Sequence, residues 1–72
     1  LHGKRRERLS NADALIGRVG KVSEAIESNG YGRVAIDGDD WKAVSADGSY
    51  VPLGQKVRVV GRESIIITVE PA

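Results

Sequence analysis

Cysteine is absent from these 72 residues, so neither a disulfide framework nor a thiolate zinc site can support the fold. Phenylalanine and methionine are missing too, and the aromatics are Tyr31, Trp41 and Tyr50 alone. A core must therefore be built from Val, Ile, Leu, Ala and one tryptophan. No apolar run is long enough to span a bilayer or to act as a secretory leader. Neither sign of charge dominates: 11 basic and 10 acidic residues leave a net charge of +1. Such a balance supplies no global field for nucleic acid. His2, the sole histidine, has no His, Cys or acidic partner at ligand spacing, which argues against a metal site there and against a Ser-His catalytic pair.

The length allows one small domain, burying only about 60% of the surface its unfolded chain exposes. The nine glycines point to turns and bulges rather than long helices. Because the chain opens at Leu1 and not Met, it is expected to be a fragment or processed product of something larger.

Residues 1–14 differ from the rest of the chain. Lys4, Arg5, Arg6, Glu7 and Arg8 form a basic run without apolar periodicity, read as a disordered linker or juxtamembrane segment. Residues 15–71 are read as the domain.

Residues 31–45, YGRVAIDGDDWKAVS, organise that domain. Val34 and Ile36 alternate with Arg33 and Ala35, the period of a half-buried strand. Asp37-Gly38 is a strong hairpin signal. On the return strand Trp41, Ala43 and Ser45 share one face, placing the ring beside a small neighbour as an interior filler.

Earlier in the chain, a strand is expected over residues 16–23, with a β-bulge at Gly20. Residues 24–29 are read as irregular, ahead of a competing helix over 22–27. Asn29-Gly30 ends the segment as a turn. Later, residues 46–54 read as a loop in which Pro52 excludes a central strand. Lys56 to Val60 alternates again, Gly61-Arg62-Glu63 is expected to turn, and residues 64–69, SIIITV, form the last strand. Val34, Ile36, Ala43, Val57, Val59, Ile65, Ile67 and Val69 are the expected interior.

Five short strands with an apolar SIIIT edge are best protected by closure. The expected fold is all-β: a small five-stranded OB-type barrel lacking the usual helix between its third and fourth strands. An SH3-like barrel has the same strand count and stays open, because strand number does not fix strand order.

Candidate chemistry is sparse. Asp37, Asp39 and Asp40 cluster on a turn, but without EF-hand spacing. Gly17-Arg18-Val19-Gly20 lacks the Lys-Ser/Thr of a phosphate loop. No catalytic residue, metal ligand or cofactor site is assigned. Arg33, Lys42, Lys56 and Arg58 could line one side of an oligonucleotide-binding module, the alternative function.

The order of LIGRVGKV, GRVAIDGDDWKAVS, PLGQKVRVVG and SIIITVEPA resembles the C-terminal soluble domain of NfeD-like proteins. Gly17 and Gly20 match its first strand; Val34, Ile36, Asp37, Gly38, Trp41 and Ala43 match its acidic-glycine turn and W-x-A. Gly54, Val57, Val59 and Val60 fall on its G-x-x-V-x-V-V pattern, and Val69, Glu70 and Pro71 on its terminal V-E-P. Ser64 departs from it, standing where glycine is common, so the last turn is expected to be built differently.

The resemblance implies an OB-like barrel carried behind transmembrane helices in a cell-membrane protein. It also implies partners of the stomatin, prohibitin and flotillin group. The serine protease domain of longer members has no counterpart in this chain. On that basis the domain is expected to be a noncatalytic protein-interaction module, and the basic cluster of Lys4, Arg5, Arg6 and Arg8 sets the expectation that it lies on the cytoplasmic side. Its partner contacts are expected at Tyr31, Arg33, Tyr50, Val51 and Leu53, where aromatic and apolar side chains fall in turns.

Overall fold

A computed structural model describes residues 14–72. The basic run of residues 4–8, and all of the expected linker segment but Ala14, lie outside the described residues. Five strands run in chain order: β1 (Val19–Glu24), β2 (Gly32–Ile36), β3 (Asp39–Ser45), β4 (Lys56–Glu63) and β5 (Ile66–Pro71). They close into a barrel in the order β1-β2-β3-β5-β4, with β4 returning to β1. All neighbours are antiparallel except β3 and β5, which run parallel through Ala43↔Ile67, Val44↔Thr68 and Ser45↔Val69. This order is that of an OB-like barrel, and residues 46–55 between β3 and β4 contain turns and a single bridge instead of a helix.

The central hairpin forms as its sequence dictates. Asp37 and Gly38 both have positive φ, 52° and 89°, the signature of the two-residue turn whose twist matches the flanking strands. Register then places Val34 opposite Trp41 and Ile36 opposite Asp39.

The buried core is Leu15, Val22, Ile26, Val34, Ile36, Ala43, Val51, Val57, Val59, Ile67 and Val69. Every strand contributes to it, and alternate residues of each strand point inward. Trp41 shares the inward face with Ala43 and Ser45, yet its ring is half-buried and packs on the core from the rim. The pairing of β3 with β5 begins only at Ala43, so at Trp41 one flank of β3 is still uncovered. Branched aliphatics, rather than the tryptophan, fill the interior.

Other expectations also need correction. Ile65 is 70% exposed, not interior. It belongs to the turn between β4 and β5, so the inward alternation of the last strand starts at Ile67. Gly61-Arg62-Glu63 is not a turn but the end of β4. The register runs Val59↔Val69 and then Gly61↔Thr68, so Val60 is an extra, bulged residue that lets the strand bend and continue. Finally, the first strand begins at Val19, leaving Ile16 exposed in the preceding turn.

The bulge in β1 also lies elsewhere than expected, between Val22 and Glu24. Gly20 has a different task. A Cβ there would stand 2.6 Å from both the Ala35 carbonyl oxygen and Ile36 Cγ1, so only glycine lets β1 lie this close to β2.

Candidate functional site

The outward faces of β2, β3 and β5, with the end of β4, carry two adjoining recesses. A groove of about 310 Å³ is lined by Tyr31, Val44, Glu63, Ser64, Ile66 and Thr68. A second recess of about 220 Å³, lined by Glu24, Tyr31, Gly32, Arg33 and Lys42, shares Tyr31 with it. The lining follows from strand alternation. Ala43 and Ser45 point into the core, so Lys42 and Val44 point out; Ile67 and Val69 point in, so Ile66 and Thr68 point out. Tyr31 enters just before β2, after a turn in which Asn29 takes a φ of 56°, and is 54% exposed.

Register sets the electrostatics. Glu24 pairs with Arg33 across β1 and β2, and Arg33 pairs with Lys42 across β2 and β3. Ile66 precedes the Ala43↔Ile67 pair on β5, and Glu63 lies opposite it on β4. The surface thus reads acid, Arg, Lys, Ile, acid from strand to strand. Two cations directly opposite one another repel, and their side chains part. Arg33 Nε lies 3.5 Å from Glu24 Oε1, while Lys42 Nζ sits 4.4 Å above the centre of the Tyr31 ring. Such an exposed cation–π contact contributes about 0.5–1 kcal/mol. It orients the ammonium without neutralising it.

Of the residues expected at the site, Tyr31 and Arg33 come together here. Tyr50 and Leu53 are exposed on the loop between β3 and β4 and do not line the groove. Val51 cannot meet a partner through its side chain, which is 2% exposed. Its bridge to Ile26 turns it into the core. Lys42, Val44, Ile66 and Thr68 complete the lining, and the signal for them was available in the alternation of β3 and β5.

That loop has an anchor of its own. Asp47 accepts hydrogen bonds from Ser49 Oγ at 2.7 Å, Ser45 Oγ at 2.9 Å and the Ser49 N–H at 3.1 Å. These bonds, the one from Ser49 Oγ foremost, lower its pKa from 3.8 to about 2. The Gly48 carbonyl then accepts from the Asn29 N–H at 2.9 Å, tying this loop to the one that delivers Tyr31.

The other sequence candidates do not converge. Asp37 is paired with Arg18, and Asp40 accepts from Ser23 Oγ at 3.2 Å. No group of three or more potential metal ligands forms among the described residues. Arg33 and Lys42 sit on β2 and β3, whereas Lys56 and Arg58 lie on β4 where it meets β1, and Arg58 faces Glu70. These four cations do not line one basic groove.

Comparison with known proteins places this geometry in context. Residues 12–71 match the model of the NfeD-like C-terminal, partner-binding domain. Among solved structures, the soluble domain of the NfeD protein YuaF from Bacillus subtilis is similar, with a TM-score of 0.80 and 33% identity, covering 97% of this chain and 89% of that one. The C-terminal domain of stomatin operon partner protein 1510-C from Pyrococcus horikoshii gives 0.77 and 30%, covering 83% and 91%. The soluble domain of a Corynebacterium glutamicum membrane protein implicated in regulation of membrane protease activity gives 0.75 and 29%, covering 83% and 97%. The uncharacterized protein MJ0826 of Methanocaldococcus jannaschii is 34% identical over 70 residues, 97% of this chain. The chain spans about half the length of that relative, 49% of it. No helix among the described residues is long and apolar enough to cross a membrane.

Proposed function

This chain belongs to the NfeD-like C-terminal, partner-binding domain family, and on that premise we propose that it is a noncatalytic docking module of a membrane-anchored protein. Its partner is a membrane protein of the stomatin, prohibitin or flotillin type, and the module works on the cytoplasmic side. Likeness to a domain of a stomatin operon partner protein supports the partner class. Likeness to the soluble domain of a membrane protein supports the anchor. The basic run at Lys4, Arg5, Arg6 and Arg8 supports the side, because such clusters resist translocation and favour an anionic inner leaflet.

The observation that carries the reading is the groove at Tyr31. Along the groove each strand of the closed barrel already has a neighbour on both sides, the uncovered flank of β3 being confined to its start before Ala43, so a partner at the groove is met by side chains rather than by strand addition. Tyr31, Val44 and Ile66 offer aromatic and aliphatic surface, and Arg33 and Lys42 offer donors, the composition of an interface centre with its polar rim. Tyr50 and Leu53 extend the contact onto the neighbouring loop.

The test is recovery of membrane partners with the parent protein, with and without residues 15–71. Loss of a stomatin-, prohibitin- or flotillin-type protein on deletion is the expected result. Unchanged recovery contradicts the reading.

A further inference from the structure

In the row Glu24, Arg33, Lys42, Ile66, Glu63 across the outer face, Lys42 is the one cation without an ion pair among the described residues, and Glu63 at the far end has none either. Arg33 is satisfied by Glu24. Lys42 takes part in no ion pair among the described residues and rests on the Tyr31 ring alone. Beside it, Val44, Ile66 and Thr68 line the larger groove together with Tyr31, Glu63 and Ser64. A single unpaired cation beside the aliphatic wall of Val44 and Ile66, with Glu63 on the far side of the groove, suits a ligand that holds one negative charge at Lys42 and one aliphatic group against that wall.

We infer that the groove takes an extended protein segment bearing a carboxylate over Lys42 and an aliphatic side chain, two residues away, against Val44 and Ile66. This rests on the docking reading above and names the chemistry of the partner's contact. The spacing comes from β3 itself: Lys42 and Val44 are alternate residues on one face, about 7 Å apart. In an extended ligand, side chains at i and i+2 share a face and have the same separation, so Glu-x-Ile or Ile-x-Glu fits. A polyanion does not fit as well. A nucleic-acid backbone crossing the row meets Glu24 at one end and Glu63 at the other, with only Lys42 unneutralised between them.

The experiment titrates the full ¹⁵N-labelled chain with three capped peptides, acetyl-Ser-Glu-Ser-Ile-Ser-amide and its Gln and Lys counterparts. The Glu peptide is expected to shift the amides of Tyr31, Lys42, Val44, Ile66 and Thr68 saturably. The Gln peptide should bind about fivefold more weakly, the scale of one exposed ion pair. Lys42→Glu, an exposed change that leaves the spectrum folded, should lose the Glu peptide and gain the Lys peptide. Equal affinity for Glu and Gln peptides, shifts confined to another face, or no saturable shift overturns the inference. So does an oligothymidine that shifts the same amides more strongly than the Glu peptide. Introducing Lys42→Glu into the parent protein separates the two levels of the argument. If it leaves partner recovery intact while deletion of residues 15–71 abolishes it, docking stands and this contact falls.

Discussion

Ile26 and Val51, both outside the five strands, exchange two backbone hydrogen bonds: Ile26 N–H to Val51 O at 2.8 Å and Val51 N–H to Ile26 O at 2.9 Å. Both side chains are buried in the core. The pair joins the loop after β1 to the loop after β3, and so stands in for the helix that the fold omits. It also steadies the two segments that carry Tyr31 and Tyr50.

Ile26→Ala is therefore expected to cost about 3 kcal/mol, the scale of deleting a fully buried branched side chain. In a domain this small that is a large share of the total stability. Trp41→Ala should cost less than Ile26→Ala, because its ring is only half-buried on the rim of the core. Urea denaturation of the two variants checks the order, and a larger loss at Trp41 contradicts it.

Ser64 is the first residue of the two-residue turn between β4 and β5 and has a φ of 60°. A non-glycine residue there is strained. Ser64→Gly relieves the strain while loosening the unfolded chain, and the balance is expected to stabilise by about 0.5–1 kcal/mol. Thermal melting reads this as a small rise in Tm; a fall shows that the Ser64 backbone is not under strain.

Much of the barrel was legible in the sequence, and the misses share a cause. Strand existence followed from period-2 alternation at Val34/Ile36, Val57/Val59 and Ile67/Val69. The β2–β3 turn followed from Asp37-Gly38. The phase of alternation near strand ends was not legible, because it depends on where an extra residue is inserted. Val60 bulges and carries β4 on through Gly61, and the turn moves to Ser64 and Ile65. A run of three isoleucines cannot reveal which one starts the strand. At the candidate site, Tyr31 and Arg33 were visible as exposed positions near a turn. The outward phase of Lys42, Val44, Ile66 and Thr68 was readable from alternation, but their apposition was not, since it is produced by the parallel β3–β5 pairing of distant segments. Val51 was misplaced for a related reason: loop membership suggested exposure, and the bridge to Ile26 buries it.

The Asp47 turn gives a pH prediction. Its carboxylate is held at about 2, below the ordinary 3.8, chiefly by the Ser49 hydroxyl. A depressed folded-state pKa means that this group supports the fold above about pH 4, and that the support is lost as pH falls from 3.8 towards 2. Carboxyl-detected NMR should show the Asp47 titration moving back towards 3.8 in Ser49→Ala, which removes the hydroxyl donor and leaves the backbone donor of residue 49 in place. An unchanged midpoint in that variant contradicts the assigned cause.

The central claim is that this barrel meets a membrane-protein partner through the face around Tyr31. The most direct measurement places a photo-cross-linking amino acid at position 31 of the parent protein in its native membrane, with position 56 on β4 as the control. The account predicts an adduct with a stomatin-, prohibitin- or flotillin-type protein from position 31 and none from position 56. An adduct from position 56 alone, or no protein adduct from either position, would contradict it.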